Sequence, residues 1–267
     1  MTGGGLVYRG PLPGTARGGA IVLRSAREIE QLRAAGRIVA EVLEALAALI
    51  APGMTTAELD AAAEERIRAA GGLPTFKGFH GFPAATCTSV NDEVVHGIPG
   101  PRRLLPGDIV SCDVGVTLGG YIGDGARTFA LPPVAPQTQR LLDATQAGLE
   151  AGLAAARGGA RVGDISAAVQ RRVEGAGFSV VRKYCGHGVG TSMHEEPQVP
   201  NYGSPGRGPR LRAGMVLAIE PMVNAGHADV NVDADGWTVR TRDGSWSAHF
   251  EHSIAITEGA CSVLTAP

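Results

Sequence analysis

The chain has 267 residues with apolar and charged fractions of 44% and 19%, ordinary for a globular enzyme and enough for a full core without staples. A formal charge of −2 gives no electrostatic basis for binding nucleic acid or an anionic membrane. No run of about 18 apolar residues is present, and the Gly/Pro-rich start lacks the apolar stretch of a secretory signal, so a cytoplasmic protein is expected.

Residues 1–24 read as an extended arm. Ser25-Ala-Arg-Glu28 is a capping box and predicts an amphipathic helix to about Ile50, stopped by Pro52-Gly53. Thr55-Thr-Ala-Glu58 is a second box, opening a helix that ends at Gly71-Gly72. Strands follow at Ala85–Val90 and Val94–His96, then a Pro/Gly-rich link from Ile98 to Gly107 and a hairpin over Asp108–Ala130. Pro136 starts a third helix to about Arg157. Asp164 caps a fourth, ending near Gly175-Ala-Gly177. A strand at Phe178–Lys183 precedes a long loop from Tyr184 to Pro209. Met215–Glu220 reads as a strand, and Asp243-Gly244 as a hairpin turn between Trp237–Arg242 and Trp246–Thr257. Shifting the sequence by 106 positions aligns Gly53 with Gly159, Glu58 with Asp164, Arg66 with Arg172 and Gly71 with Gly177. Matching helix starts and stops at one offset read as a duplication. A site is then expected between the halves.

Acids stand where apolar strands are expected. If the hairpin turn centres on Leu118-Gly119, Asp113 faces Asp124 across the ladder, with Cβ atoms about 5 Å apart. Glu220 closes the strand Val216-Leu-Ala-Ile, and Glu251 interrupts Ser247–Thr257, where His249 shares its face. Four buried acids would repel one another and destabilise the fold by several kcal/mol each, roughly, without cations. Two divalent ions remove that problem. Carboxylates with one imidazole, His187, suit Mn²⁺, Fe²⁺, Co²⁺ or Zn²⁺, and two ions about 3.5–4 Å apart support hydrolysis by a bridging hydroxide. Glycines 186, 188 and 190 are expected to let the backbone approach a ligand. Glu195 and Glu196 read as a solvated loop end. The four cysteines, at 87, 112, 185 and 261, lack metal or redox spacing and read as reduced structural thiols.

Asn91-Asp-Glu-Val-Val-His-Gly-Ile-Pro99, Tyr184-Cys-Gly-His-Gly-Val-Gly-Thr-Ser-Met-His-Glu-Glu-Pro197, Ala218-Ile-Glu-Pro-Met222 and Phe250-Glu-His-Ser253, with the acidic hairpin, resemble type I methionine aminopeptidases of the M24 metallopeptidases over about residues 25 to 265. The resemblance implies the α+β pita-bread fold, with two pseudo-symmetric halves of antiparallel sheet flanked by helices. The arm at 1–24 would precede one catalytic domain at 25–267, with halves at about 25–130 and 131–267. It implies a monomeric hydrolase that removes the initiator Met of nascent polypeptides when the second residue is small. It also implies two divalent metal ions: Asp124 and Glu251 would bridge them, Asp113 would bind one, and His187 and Glu220 the other. His194 would meet the scissile carbonyl, His96 the substrate amine, and Glu220 would shuttle a proton. Phe79, Phe82, Cys87, Met193 and Trp237 would line the Met pocket.

Only 26 positions separate His194 from Glu220, leaving no room for the type II helical insertion. Contact of the arm with the ribosome stays open. Two alternatives are an X-Pro aminopeptidase or dipeptidase of the same fold, which usually carries a further N-terminal domain, and a metal-free pita-bread binding protein, which loses the ligand acids.

Overall fold

A computed structural model describes residues 19–266, so the expected arm lies largely outside the described residues. The first helix, α1 (Ala26–Leu49), starts at Ser25. The Ser25 hydroxyl accepts from the Glu28 amide at 3.4 Å and the Glu28 carboxylate accepts from the Ser25 amide at 2.8 Å. Helix α2 (Thr56–Ala69) repeats the box with Thr55 and Glu58 at 3.2 and 2.7 Å. Strands β1 (Leu73–Pro74), β2 (Thr86–Val90), β3 (Glu93–Val95), β4 (Ile109–Leu118) and β5 (Tyr121–Ala130) follow, then α3 (Pro136–Ala155) and α4 (Val162–Gly175). The remaining strands are short: β6 (Ser179–Val180), β7 (Gly186–Gly188), β8 (Glu195–Val199), β9 (Val216–Ile219), β10 (Met222–Asn224), β11 (Val230–Val232), β12 (Val239–Thr241), β13 (Ser247–His249), β14 (His252–Ala255) and β15 (Ser262–Val263). No described helix is long and apolar enough to cross a membrane.

Two main cores result. Residues Leu32, Ala35, Val39, Val42 and Leu46 recur every three or four positions along α1 and are buried, the stripe of an amphipathic helix. With Leu59 and Ile67 of α2, much of this stripe packs on Val110, Val114 and Val116 of β4. The second core sets Leu141 and Leu149 of α3 and Ile165 and Val169 of α4 against Leu217, Ile219 and Ile254. Helices α2 and α4 each span 14 residues and start 106 positions apart, at Thr56 and Val162. The strap ahead of each is the same: Gly53 N–H donates to Leu104 O and Leu104 N–H to Met54 O, while Gly159 N–H donates to Leu211 O and Leu211 N–H to Ala160 O.

The strand order is β1-β4-β2, with β5 on β4, in one sheet and β15-β14-β9-β7-β8 in another. Between them β5 runs beside residues 249–253. Thr128 Oγ1 donates to His249 O at 2.8 Å, Glu251 N–H donates to Ala126 O at 2.9 Å, and Ser253 Oγ donates to Asp124 O at 2.7 Å.

Several local expectations are corrected. The hairpin turns on Gly119-Gly120, with φ of +57° and +85°. A two-residue turn of this hand needs positive φ at both positions, which Leu118 resists. The register therefore pairs Leu118 with Tyr121, Gly115 with Asp124 and Asp113 with Ala126. The two acids keep one face but sit diagonally rather than opposite. Asp164 does not cap α4. Arg161 holds the cap position, and Asp164 reaches back to its amide at 2.7 Å. Asp243-Gly244 joins no hairpin, because β12 pairs with β11 and β3 while β13 pairs with β10. The Asp243 carboxylate instead fastens the bend, accepting from the His227 amide at 2.7 Å and the Ser245 hydroxyl at 2.6 Å. The strand expected over Trp246–Thr257 is broken at Phe250-Glu251, where the chain passes from one sheet to the other. The strand at Phe178–Lys183 shrinks to β6, and the long loop after it contains β7 and β8.

Candidate active site

Five ligand-type side chains converge on one pocket from both halves. Asp113 and Asp124 come from β4 and β5, His187 from β7, Glu220 from the end of β9, and Glu251 from the break between β13 and β14. His187 Nε2 lies 3.5 Å from Glu220 Oε1 and 3.6 Å from Asp124 Oδ2. His187 Nδ1 donates to Gly188 O at 2.9 Å. A carbonyl only accepts, so the neutral ring carries its lone pair on Nε2, facing the carboxylates.

This arrangement is repulsive by itself. Burial, then the charge of Asp124, pushes the Asp113 carboxyl well above its usual range. Burial, then Asp124, does the same to Glu220 and Glu251. Asp113 Oδ1, Asp124 Oδ1 and Glu251 Oε1 are buried without a hydrogen-bond partner. Ligand atoms of Asp124, His187 and Glu251 lie within 4.8 Å of one another, a spacing that can hold an ion. An imidazole lone pair, orphaned carboxylate oxygens and no neutralising Lys or Arg among the pocket residues are the donor set of a hard or borderline divalent cation. The residues fit a metal.

Beside the acids the pocket turns apolar. Phe82, Cys87, Met193 and Trp237 line it with His96 and His194. The Phe82 and Trp237 rings meet at 5.1 Å between centroids. Phe79 does not line the pocket. Its ring lies 5.6 Å from the His194 ring, and it packs on the apolar cluster that contains Phe82 and Met193. The His194 ring also sits 4.5 Å from His187. His96 follows β3 with φ of +59°, a conformation that costs a non-glycine residue about 1–2 kcal/mol. Its ring meets Tyr184 edge-on at 5.7 Å.

Glycines 186 and 188 are required by the strands themselves. A Cβ on Gly186 would strike Ala218 O, and one on Gly188 would strike Glu196 O. Glu195 is not a solvated loop end. Both its oxygens accept from Arg24 Nη2, at 2.6 and 2.7 Å. Oε1 also accepts from the Thr191 and Ser192 amides, at 2.9 and 3.1 Å. All four cysteines are free thiols, and Cys112 faces the first core, away from Asp113.

Sequence reasoning missed Phe76, Tyr184 and Arg24. Phe76 lines the pocket, and the only hint was its place in a run of phenylalanines three apart, 76, 79 and 82. Arg24 meets Glu195 across 171 positions of chain, a separation no local pattern reveals.

Comparison with known proteins agrees with this geometry. The model of metallopeptidase family M24 matches residues 30–258. Methionine aminopeptidase 1 of Bacillus subtilis is 52% identical over 245 residues, covering 92% of this chain and 99% of that protein. The crystal structure of methionine aminopeptidase from Thermotoga maritima superposes with a TM-score of 0.91 at 44% identity, covering 93% of this chain and 100% of that one. Prolidase from Pyrococcus furiosus, at 20% identity, 92% and 66% coverage and a TM-score of 0.74, shares the fold alone. With its pita-bread architecture and its carboxylate-imidazole cluster, the chain belongs to metallopeptidase family M24.

Proposed function

We propose that this chain is a methionine aminopeptidase that removes the initiator Met from nascent polypeptides whose second residue is small. The observation that carries the reading is one pocket that joins four acids and His187 to an apolar wall of Phe82, Cys87, Met193 and Trp237, with His96 and His194 between. An apolar side chain fits the wall while the adjoining peptide meets the acids.

Asp113, Asp124, His187, Glu220 and Glu251 would hold two divalent ions. Asp124 and Glu251 would be shared between the ions, Asp113 would serve one, and His187 with Glu220 the other. When bound, such ions acidify water and polarise a carbonyl. The protein's own groups do the rest. Glu220 accepts a proton from the attacking water and delivers it toward the leaving amine. His194 donates to the scissile carbonyl oxygen as charge develops there. His96 meets the substrate amine, and the side-chain wall orients the Met residue. The halves about 25–130 and 131–267 close one domain around this site, and the enzyme acts as a cytoplasmic monomer.

The test is release of Met from Met-Ala-Ser, Met-Leu-Ser and Ala-Pro-Ser peptides by protein stripped of metal and resupplied with Co²⁺, Mn²⁺, Fe²⁺ or Zn²⁺. Metal-dependent cleavage of Met-Ala-Ser alone is expected. Cleavage of Ala-Pro-Ser alone would move the chain to the X-Pro branch of the fold. No cleavage with any ion would leave the acids a binding role.

A further inference from the structure

His249 is a buried imidazole that the mechanism above does not use. It is 1% exposed, and its Nε2 has no hydrogen-bond partner. That atom lies 3.9 Å from Glu220 Oε2 and 3.9 Å from Glu251 Oε2, between the two carboxylates. The root of the side chain is fixed. The Thr128 hydroxyl accepts from the His249 amide at 2.9 Å and donates to its carbonyl at 2.8 Å. The Ser111 hydroxyl lies 2.8 Å from the Thr128 hydroxyl, and His249 pairs with Met222 in the ladder. The ring is thus held against the cluster by backbone clamped on both sides.

His187 presents Nε2 to the same acids but has committed its Nδ1–H to Gly188 O, so its Nε2 is a lone pair. His249 carries no such bond to set its tautomer. A buried N–H beside two carboxylates finds its acceptor there, once a separation of 3.9 Å closes to hydrogen-bond range. We propose that His249 is a positioning residue for the metal ligands: its Nε2–H donates to Glu220 and Glu251, fixing the orientation in which their oxygens face the ion. Hydrogen bonds of this kind to ligating groups tune affinity without touching the metal. The inference rests on the metal-ligand reading given above.

Substitution separates the roles. The amide nitrogen of Gln occupies nearly the place of Nε2 and donates without offering a lone pair. Asn carries the amide nearer the backbone, out of reach, and Leu fills the volume with no donor. The readouts are the Co²⁺ dissociation constant, by competition with a chelator, and the visible absorption of the Co²⁺-loaded protein. Circular dichroism of the metal-free forms checks folding. His249→Leu and His249→Asn are expected to bind Co²⁺ about 10–100-fold more weakly with an altered spectrum. His249→Gln is expected to retain affinity and spectrum close to the parent. Parental affinity in His249→Leu would overturn the proposal. So would His249→Gln binding as weakly as His249→Leu, since the imidazole would then be a ligand itself. A parent that binds no Co²⁺ would instead sink the metal-ligand reading on which the proposal stands.

Discussion

Asp124 is one of the three side chains whose spacing can hold an ion. It is 2% exposed, its amide is tied to Ser253 Oγ at 3.2 Å, and its Oδ2 lies 3.6 Å from His187 Nε2. Replacing it with Asn keeps the volume but removes the charge that would bridge two ions. Asp124→Asn should abolish Met release and weaken metal retention; full activity would count against a dinuclear centre. His96 gives a second residue-scale test. Burial, then the neighbouring His194, pushes its imidazole down to about 4, against about 6.5 in an unfolded chain. Between those values the unfolded chain binds a proton that the folded chain refuses. The stability carried by neutral His96 is therefore complete above pH 6.5 and lost as the pH falls toward 4. In thermal melts of metal-free protein, His96→Gln should lose Tm less steeply than the parent across that window. Identical slopes would mean that the ring titrates as if exposed.

At the scale of elements, the loop between β7 and β8 matters most, because it delivers Met193 and His194. Its end is fastened by the Arg24–Glu195 pair, whose side chains are 7% and 14% exposed. The Ile122 amide, donating to Gly190 O at 2.8 Å, holds the other side. The segment before α1 thus braces a loop at the active site. A misplacement of about 1 Å at a reacting group can cost up to roughly 10²-fold. Arg24→Ala should lower kcat on Met-Ala-Ser by about tenfold or more with metal content unchanged. Arg24→Lys should recover part of the loss, since it keeps the charge but not the planar fork. A change in KM alone would show that the brace serves binding and not the placement of His194.

Over the whole molecule, the site belongs to neither half. The first half contributes Asp113, Asp124 and His96, the second His187, His194, Glu220 and Glu251, and the pairing of β5 with residues 249–253 brings them together. The proposed preference for a small second residue gives the test at this scale. Enlarging the second residue of the substrate from Ala to Leu should suppress cleavage, measured as kcat/KM on paired peptides; equal values would undo the assigned specificity.

The four long helices, the repeat at 106 positions and the acids in apolar strands were legible in the chain itself, because capping boxes, 3.6-residue periodicity and a charge amid apolar neighbours are local signals. The family motifs added the expected ligand set. The hairpin register was legible too, since Gly119-Gly120 takes positive φ at both turn positions without strain; tertiary structure decided how that hairpin meets residues 249–253. It also decided the breaking of Trp246–Thr257 into two sheets, the buried Arg24–Glu195 pair and the position of His249 Nε2 between two carboxylates. Each of these depends on contacts between residues far apart in sequence, which leave no periodic trace in the order of side chains.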